Sequence, residues 1–425
     1  MTKGTELLRA LGAGEHDAVL KRLYGDVNAA RARAEHVVKG FLSAFGDKNW
    51  IGLFSGPGRT EIGGNHTDHQ HGHVLCGSVD MDMLACAAPN GTRTVRVISE
   101  GYPALEVDLT DLAVREGEKN TSAALVRGVA ARIAELGFPI SGFDAYVTST
   151  VLSGSGLSSS AAYEVLMGNI INAYFCDGGL TSDAIAKIGQ YAENVYFGKP
   201  CGLMDQMGSS VGNAIAVDFA DPAAPEVKRL SYDFDQSGYT LCIVDSGASH
   251  ADLTDDYAAI PEEMGSVAAF FGKKWLREVD EADFRSNLSP LRERCGDRAV
   301  LRALHYYEED KRAVAEAQAL EAGDFARFLA LVNESGLSSQ LHLQNIWSVN
   351  DTRQQAVEIA LTVGRDLLAG EGAIRVHGGG FAGTIQAWVP NGMVSTFQTG
   401  MEAVLGEGKC HIVRIRPVGG TAVVL

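Results

Sequence analysis

The stretch VLSGSGLSSSAAYEV, residues 151–165, constrains the fold more than any other part of the sequence. Gly154 and Gly156 allow a tight turn, and the serines that follow run into a helix predicted from about residue 158 to 174. A helix N-terminus behind small residues binds anions, because its first backbone N–H groups have no partner within the helix. The stretch therefore predicts a phosphate-binding loop, with an ordinary capped helix as the alternative.

Two common nucleotide-binding loops are excluded. The P-loop pattern G-x-x-x-x-G-K-[ST] does not occur in the sequence. The dinucleotide pattern G-x-G-x-x-G does not fit either, because Ser159 stands where the third glycine is required. Any phosphate site in this stretch is therefore of another kind.

The chain mixes helices and strands without a regular βαβ alternation, which favours a layered α+β fold. Residues 4–46 have apolar side chains at helical spacing, whereas short apolar runs broken by glycine predict strands from Trp50 onward. Further helices are predicted over 121–137, 182–196 and 260–335, and a last set of strands starts near Ala373. A length of 425 residues favours two or three domains, with the Pro- and Ala-rich segment 219–230 as the best junction.

Composition excludes several classes of partner. A formal net charge of −17 and the lack of a basic stretch argue against nucleic-acid binding. No apolar run resembles a secretory signal or a membrane helix. The seven cysteines form no C-x-x-C pair, which is typical of reduced thiols. We therefore predict a soluble cytoplasmic protein without nucleic-acid or membrane partners.

A second group of polar residues lies in GPGRTEIGGNHTDHQHGHVL, residues 56–75, which we interpret as a glycine-rich connection between two apolar runs. It contains one arginine, one glutamate, one aspartate and four histidines. His69, His71 and His73 alternate and could bind a metal from one face of a strand. Histidines that make ordinary hydrogen bonds are the favoured interpretation, because no companion cysteine or H-x-x-x-H spacing is present.

Two further segments contain candidate site residues. In AENVYFGKPCGLMDQMGS, residues 192–209, Asp205 is flanked by apolar side chains, so it is either a buried carboxylate that needs a partner or a helix cap. Glu193 lies at the end of the preceding predicted helix. In RVHGGGFAGTIQAWV, residues 375–389, three consecutive glycines form either a bare turn or a place where a backbone or ligand approaches closely.

In this order and spacing, the four segments resemble the GHMP small-molecule kinases, most closely the galactokinases. The family signature G-R-V-N-L-I-G-E-H-T-D-Y-N-G-G is similar to GRTEIGGNHTDHQHG, residues 58–72. The family's phosphate loop resembles GSGLSSSAAYE, its C-G-I-M-D-Q turn resembles CGLMDQ, and its third motif resembles GGGFAGT. The resemblance extends from about Phe41 to the C-terminus and leaves the first residues without a role.

The resemblance implies a two-domain α+β fold with ATP and an aldose in the cleft, and transfer of the γ-phosphoryl group to the C1 hydroxyl. It implies an N-terminal kinase domain over 41–222 and a C-terminal kinase domain over 223–425, and the helical spacing before them predicts a helical extension over 1–40. By the resemblance, Asp205 is the catalytic base and Arg59 is the arginine that pairs with it. Mg²⁺ would be held by Ser160 and Glu193, with Ser159 as the alternative to Ser160.

The same resemblance implies the substrate contacts. The nucleotide phosphates would be bound by Gly154, Ser155, Gly156, Leu157, Ser158, Ser159 and Ser160. The sugar would be contacted by Asn65, His66, Asp68, Gly202 and Tyr257.

Three departures from the family pattern matter. Asn65 replaces a glutamate that accepts a hydrogen bond from the sugar's 6-hydroxyl, so the loss of this charge makes a galacturonate substrate tolerable. His69 and Gln70 stand where the signature has Tyr-Asn, which weakens any inference about sugar specificity. Leu152 replaces a common proline and is expected to affect loop stiffness more than chemistry.

The sequence therefore predicts an ATP-dependent sugar 1-kinase, with galactose as the first substrate and galacturonate or another aldose as the alternative. A regulator that senses sugar and nucleotide without turnover is disfavoured, because Asp205, Arg59, Ser160 and Glu193 are all present. A mevalonate- or homoserine-type kinase is disfavoured by the galactokinase-like signature. The oligomeric state is open, with a monomer consistent with the sequence.

Overall fold

The computed structural model describes residues 2–151, 156–199, 201–248 and 253–425. Two β-sheets organise this part of the chain, one of eight strands and one of four. The first sheet contains β1 (Gly52–Gly63), β2 (His73–Pro89), β3 (Thr94–Ser99), β4 (Leu105–Asp108), β5 (Phe143–Ser149), β6 (Ala214–Asp218), β7 (Glu226–Arg229) and β12 (Thr421–Val424). The second sheet contains β8 (Tyr239–Asp245), β9 (Ala373–His377), β10 (Thr384–Pro390) and β11 (Cys410–Val413).

The first sheet has the order β12-β1-β2-β5-β3-β4, with β6 and β7 continuing from the far part of β2. Its pairs are antiparallel except β3 with β5, which run parallel. The second sheet is antiparallel in the order β11-β8-β10-β9. Because β12 comes from the C-terminus, the end of the chain completes the sheet that the N-terminal half begins.

Helices cover both faces of the first sheet and flank the second. They are α1 (Gly4–Gly12), α2 (Asp17–Tyr24), α3 (Val27–Phe45), α4 (Ser122–Glu135), α5 (Ser159–Phe175), α6 (Ser182–Tyr191), α7 (Met204–Val211), α8 (Thr254–Phe270), α9 (Glu281–Ser286), α10 (Leu288–Cys295), α11 (Asp297–Glu321), α12 (Phe325–Ser338), α13 (Ala356–Leu368) and α14 (Val394–Leu405). A π-helical turn over Ala192–Phe197 extends α6.

The alternation of side chains along β1 explains the layers. Phe54 packs with α4, α5 and α6 on one face, whereas Leu53 packs with α1, α2 and α3 on the other. A third cluster of buried side chains packs α13 and α14 against the second sheet. The α+β prediction is therefore confirmed, and the N-terminal helices form one layer of the first sheet.

Most predicted elements are confirmed, with one correction. Residues 56–63, predicted to be part of a glycine-rich connection, continue β1 as a buried strand. The glycines here permit close packing, since a Cβ at Gly56 would overlap the carbonyl oxygen of Ala162 in α5. The domain boundaries remain predictions; α3 crosses residue 40, and β7 and β12, which follow residue 222, belong to the first sheet.

Two sequence expectations concern the membrane and the cysteines. Across the described residues, no helix is long and apolar enough to cross a membrane. All seven cysteines lie within the described part of the chain and are free thiols.

Glu316 of α11 is expected to make the protein's stability fall as the pH rises. The residue is fully buried, and neither carboxylate oxygen has a hydrogen-bond partner among the described residues. Burial, reinforced by the charge of Glu309, raises its pKa well above the ordinary 4.5. The folded protein therefore keeps a proton that the unfolded chain releases above pH 4.5, so this group's contribution to stability is lost as the pH rises above that value.

Glu316→Gln removes this titration while keeping the shape of the neutral side chain. We expect the Tm of the variant, relative to that of the wild type, to increase as the pH is raised. Thermal unfolding at several pH values measures this difference. Glu308→Gln, on the more exposed surface of the same helix, is the control. A difference in Tm that does not change with pH would contradict the assignment.

Candidate active site

Asp205 and Arg59 form the centre of the site. Asp205 lies in the first turn of α7 and Arg59 lies on β1, where the two main-chain segments pack side by side. Arg59 Nη2 and Nε lie 2.7 and 2.8 Å from Asp205 Oδ1. Arg59 is almost fully buried, whereas the Asp205 side chain remains 30% exposed. The carboxylate is therefore held by a buried charge and is still open to a substrate.

Ser158 completes this centre. Its backbone is left-handed, with φ of 56°, an uncommon conformation for a residue other than glycine. In this conformation its hydroxyl donates to Asp205 Oδ2 over 2.5 Å. Burial alone would raise the pKa of Asp205, but the charge of Arg59 and the bond from Ser158 hold it below its usual value. Asp205 is therefore ionised, and it is not a helix cap.

Gly156 and Leu157, at the described end of the serine-rich stretch, are hydrogen-bonded to the same arginine. Arg59 Nη1 donates to the carbonyl oxygen of Gly156. The backbone N–H of Arg59 donates to the carbonyl oxygen of Leu157 over 3.1 Å. Helix α5 begins directly afterwards, and no side-chain cap is seen at Ser158 within the described residues. The N-terminus of α5 therefore opens beside Asp205, while Leu152, Gly154 and Ser155 lie outside the described residues.

A second carboxylate lies next to this centre. Glu193, in the π-helical turn, accepts a hydrogen bond of 3.0 Å from Ser160. Among the described residues it is Ser160, and not Ser159, that makes this bond. Lys199 Nζ lies 3.5 Å from the same Glu193 oxygen. A hydroxyl and a carboxylate this close together match the oxygen ligands that Mg²⁺ prefers.

Gln206 connects the centre at Asp205 to the second carboxylate, Glu193, and was not predicted as a site residue. Its amide donates to Glu193 over 2.8 Å and to Glu164 over 3.0 Å, and it follows Asp205 directly in the chain. Burial and the charge of Glu193 raise the pKa of Glu164 well above its usual value, which favours its protonated form. The CGLMDQ motif contains Gln206, but its contact with Glu193 depends on the fold.

His66 has one ring nitrogen available for a ligand. Its Nε2 lies 2.9 Å from the carbonyl oxygen of Gly379, which can only accept, so Nε2 carries the proton. Nδ1 is buried and has no partner among the described residues, which leaves it as an acceptor. Burial and the neighbouring His69 lower the pKa of His66 to about 3, so the ring is neutral. Such a nitrogen is suited to accept a hydrogen bond from a hydroxyl.

The triple-glycine loop lies against three of the predicted sugar-binding residues. Besides His66, Asn65 Nδ2 donates to the carbonyl of Gly378 over 2.7 Å, and Tyr257 Oη donates to that of Gly380 over 2.8 Å. A Cβ at Gly380, where φ is 81°, would overlap the backbone of Asn345. The three glycines therefore allow close approach of another backbone and are more than a bare turn.

Asn65 differs from the other predicted sugar contacts because it is fully buried. Its Nδ2 also donates to Glu61 over 3.0 Å, and its Oδ1 accepts from Asn345 over 2.9 Å and from Ser339 over 3.3 Å. The amide therefore uses both donors and both acceptor positions within the protein. Glu61 in turn forms a buried ion pair with Arg375.

Asp68 and Gly202 meet on the other side of the site. A Cβ at Gly202 would lie 3.4 Å from Asp68 Oδ2, and Gly202 itself is exposed. A cavity of about 330 Å³ opens beside these two residues, with Trp275 and Phe219 in its lining. This volume leaves room for a small polar ligand next to Asp68.

The histidines of the signature do not form a metal site. His69 lies in a 3₁₀ turn, His71 has a left-handed backbone and stacks on Trp275, and only His73 lies on β2. His73 bonds to Asp310 over 2.9 Å and to Asp218 over 3.2 Å. Within the described ranges, no group of three potential ligands is close enough to hold a metal ion. The three histidines therefore do not share one face of a strand, as the metal alternative required, and His73 makes the hydrogen bonds that the favoured interpretation predicted.

Comparisons with known proteins agree with this geometry. The family profile described as GHMP kinases N terminal domain matches residues 124–213, and the Galactokinase galactose-binding signature matches residues 39–89. A galactokinase of Streptomyces coelicolor is 31% identical over 335 residues, which are 78% of this chain and 83% of the relative.

Solved structures show the same fold. The Lactococcus lactis galactokinase complexed with galactose superposes with a TM-score of 0.75 at 24% identity, covering 90% of this chain and 98% of that one. The Methanococcus jannaschii mevalonate kinase gives a TM-score of 0.62 at 12% identity, covering 87% and 99%.

Proposed function

Because the chain belongs to the galactokinase family of the GHMP kinases, we propose that it transfers the γ-phosphoryl group of ATP to the C1 hydroxyl of galactose. The main support for this proposal is Asp205, an ionised and partly exposed carboxylate between Arg59 and Ser158. The next residue, Gln206, donates a hydrogen bond to Glu193. A base, a cation and a candidate Mg²⁺ ligand thus converge where α5 and α7 begin.

Asp205 is the proposed base. An anomeric hydroxyl is a weak nucleophile, so a carboxylate that accepts its proton assists the attack of O1 on the γ-phosphorus. The new bond joins O1 to phosphorus, the bond from phosphorus to the β–γ bridging oxygen breaks, and ADP leaves with that electron pair. Arg59 keeps Asp205 ionised and lies where it can stabilise negative charge on the transferred group.

The nucleotide phosphates are proposed to lie at the N-terminus of α5. Gly156 and Leu157 are attached to Arg59, and Ser158, Ser159 and Ser160 follow in the first turn of the helix. Free backbone N–H groups at this end attract phosphate oxygens. Gly154 and Ser155 complete the predicted phosphate contacts.

Ser160 and Glu193 are proposed to hold Mg²⁺ together with phosphate oxygens. Their hydroxyl and carboxylate already lie 3.0 Å apart and are hard oxygen donors. When bound, the ion neutralises charge on the phosphates and on the leaving group.

Glu193→Gln tests this metal assignment. Removing the carboxylate charge is expected to raise the Mg²⁺ concentration for half-maximal rate by at least the ~10–100-fold that a lost partner costs a metal site. Glu164→Gln is the matched control, because Glu164 bonds to the same Gln206 amide, whereas Ser160 bonds to Glu193. An equal shift in both variants would contradict a metal role specific to Glu193.

His66, Asp68, Gly202 and Tyr257 are the proposed sugar contacts, supported by the cavity beside Asp68 and by His66 Nδ1, which has no partner in the part of the chain that the structure describes. Asn65 requires a different interpretation. Compared with the family signature, position 61 has a glutamate where an asparagine is usual, and position 65 has the reverse. The two side chains bond to each other over 3.0 Å, so the local carboxylate has moved and has not been lost. Because Glu61 is paired with the buried Arg375, its charge is not presented to the sugar, and galactose is proposed as the substrate because the chain belongs to the galactokinases.

Steady-state ADP formation with a panel of sugars tests the proposed function. The panel is galactose, galacturonate, glucose, N-acetylgalactosamine and arabinose, each with ATP and Mg²⁺. We expect the highest kcat/KM for galactose. A preference for galacturonate would show that the exchange at Asn65 changes specificity, and no turnover with any sugar would favour the binding-only alternative.

The wider setting of the enzyme follows from the family and the composition. Sugar and ATP are its proposed small-molecule partners, and its strong negative charge is unsuited to nucleic acid. The cytoplasmic location and the three-part division at residues 40 and 222 remain our predictions.

A further inference from the structure

Asp82, on β2, is the centre of a buried network that the proposed chemistry does not use. It is fully buried and accepts hydrogen bonds from Tyr24 over 2.6 Å, from Arg33 Nη1 over 2.5 Å and from Ser55. Arg416, also fully buried, donates to it over 3.3 Å. Burial would raise the pKa of Asp82, but the charges of Arg33 and Arg416 hold it below its usual value. One ionised carboxylate thus joins α2 and α3 to a C-terminal segment.

The backbone of Asp82 holds the residue that leads into the serine-rich stretch. Thr150 donates from its backbone N–H to the Asp82 carbonyl over 2.9 Å, and its hydroxyl accepts from the Asp82 N–H over 2.9 Å. Arg33 Nη2 donates to the same Asp82 carbonyl over 3.0 Å and to the Thr148 carbonyl over 3.4 Å. Arg33 therefore contacts both strands at the point where the chain leaves β5.

The far end of the stretch is held by a different residue. Gly156 and Leu157 are attached to Arg59, which belongs to the proposed catalytic centre. The described residues on the two sides of positions 152–155 are therefore held by Arg59 on one side and by Asp82 with its partners on the other. Two of those partners, Tyr24 and Arg33, precede the matched signature at residues 39–89.

We propose that Arg33 and Tyr24 are positioning residues for the nucleotide. Through Asp82 they fix Thr150, and with it the entrance to the phosphate loop, before ATP binds. Holding Thr150 in place lowers the entropy that ligand binding costs at this end of the stretch, so we expect nucleotide affinity to depend on this contact. The inference rests on the proposed kinase function and gives the N-terminal helices a role in it.

Arg33→Gln tests the inference by separating nucleotide binding from sugar binding. We expect the KM for ATP and the Kd for ADP to rise about tenfold, the lower end of what loss of a supporting partner costs a binding site. The KM for galactose is expected to stay unchanged. Arg33→Lys, which retains the charge beside Asp82, should recover part of the affinity, and Tyr24→Phe, which removes one hydroxyl, should show a smaller shift of the same kind.

Arg31→Gln is the matched control, because Arg31 lies on the same helix and pairs with Asp17 instead. It should leave all of these constants unchanged. The inference is overturned if Arg33→Gln lowers only the Tm, or if the constants for ATP and galactose rise together. Should Arg33→Gln not fold, an unchanged Kd for ADP in Tyr24→Phe would overturn it. Calorimetric ADP binding needs no turnover, so a wild type that binds ADP but phosphorylates no sugar would refute the proposed function separately.

Discussion

Replacing Asp205 by asparagine is expected to lower kcat by roughly 10²–10⁴-fold, the range that a positioned general base contributes. Asparagine keeps the size of the side chain and can still accept from Ser158, but it cannot take the proton of the C1 hydroxyl. Binding of galactose and ADP should therefore persist. Steady-state kinetics together with calorimetric binding of each ligand measure the two effects separately.

Asp183→Asn provides the control for this substitution. Asp183 is exposed in the first turn of α6 and is expected to tolerate the same change without loss of rate. If Asp205→Asn kept the wild-type kcat while both ligands still bound, Asp205 would not be the base.

Arg59→Gln is expected to produce the second large effect. It removes the charge beside Asp205 and the side-chain hydrogen bond to the Gly156 carbonyl, whereas the bond from the Arg59 backbone N–H to the Leu157 carbonyl is kept. Loss of one preorganised stabilising donor costs about 10²–10³-fold in kcat. The exposed pair of Arg285 with Glu281 makes Arg285→Gln a suitable control, with no expected change.

The same variant should change the pH dependence. In the wild type, Arg59 helps to hold the pKa of Asp205 below its usual value, so the acidic limb of the kcat/KM profile lies at low pH. Without that charge, burial raises the pKa, Asp205 becomes protonated at higher pH, and the acidic limb moves upward. An acidic limb that stays in place would show that Asp205 does not control it.

The charged centre of the site was predictable because its chemistry depends on residue type. An aspartate among apolar side chains needs a partner, and the family resemblance identified Arg59 as that partner, as the structure now has it. The contribution of Ser158 was less predictable. Its hydroxyl is evident from the sequence, but the left-handed backbone that directs it to Asp205 depends on how α5 packs.

The role of Asn65 could not be predicted from its own position in the sequence alone. Its replacement of glutamate suggested a lost charge, whereas the structure places the carboxylate of Glu61 next to the Asn65 amide. The histidines of the same segment suggested a strand, but a 3₁₀ turn separates them. Asp82 was not a candidate at all, because its partners lie far away in the sequence and meet only in the folded chain.

The most direct test of the central claim is NMR of the product formed from galactose, ATP and Mg²⁺ by the wild-type protein, with Asp205→Asn in parallel. We predict a sugar phosphate whose phosphorus couples to the anomeric proton, formed together with ADP by the wild type and nearly absent with the variant. A phosphate on another hydroxyl, ADP without any sugar phosphate, or equal product from both proteins would contradict the account.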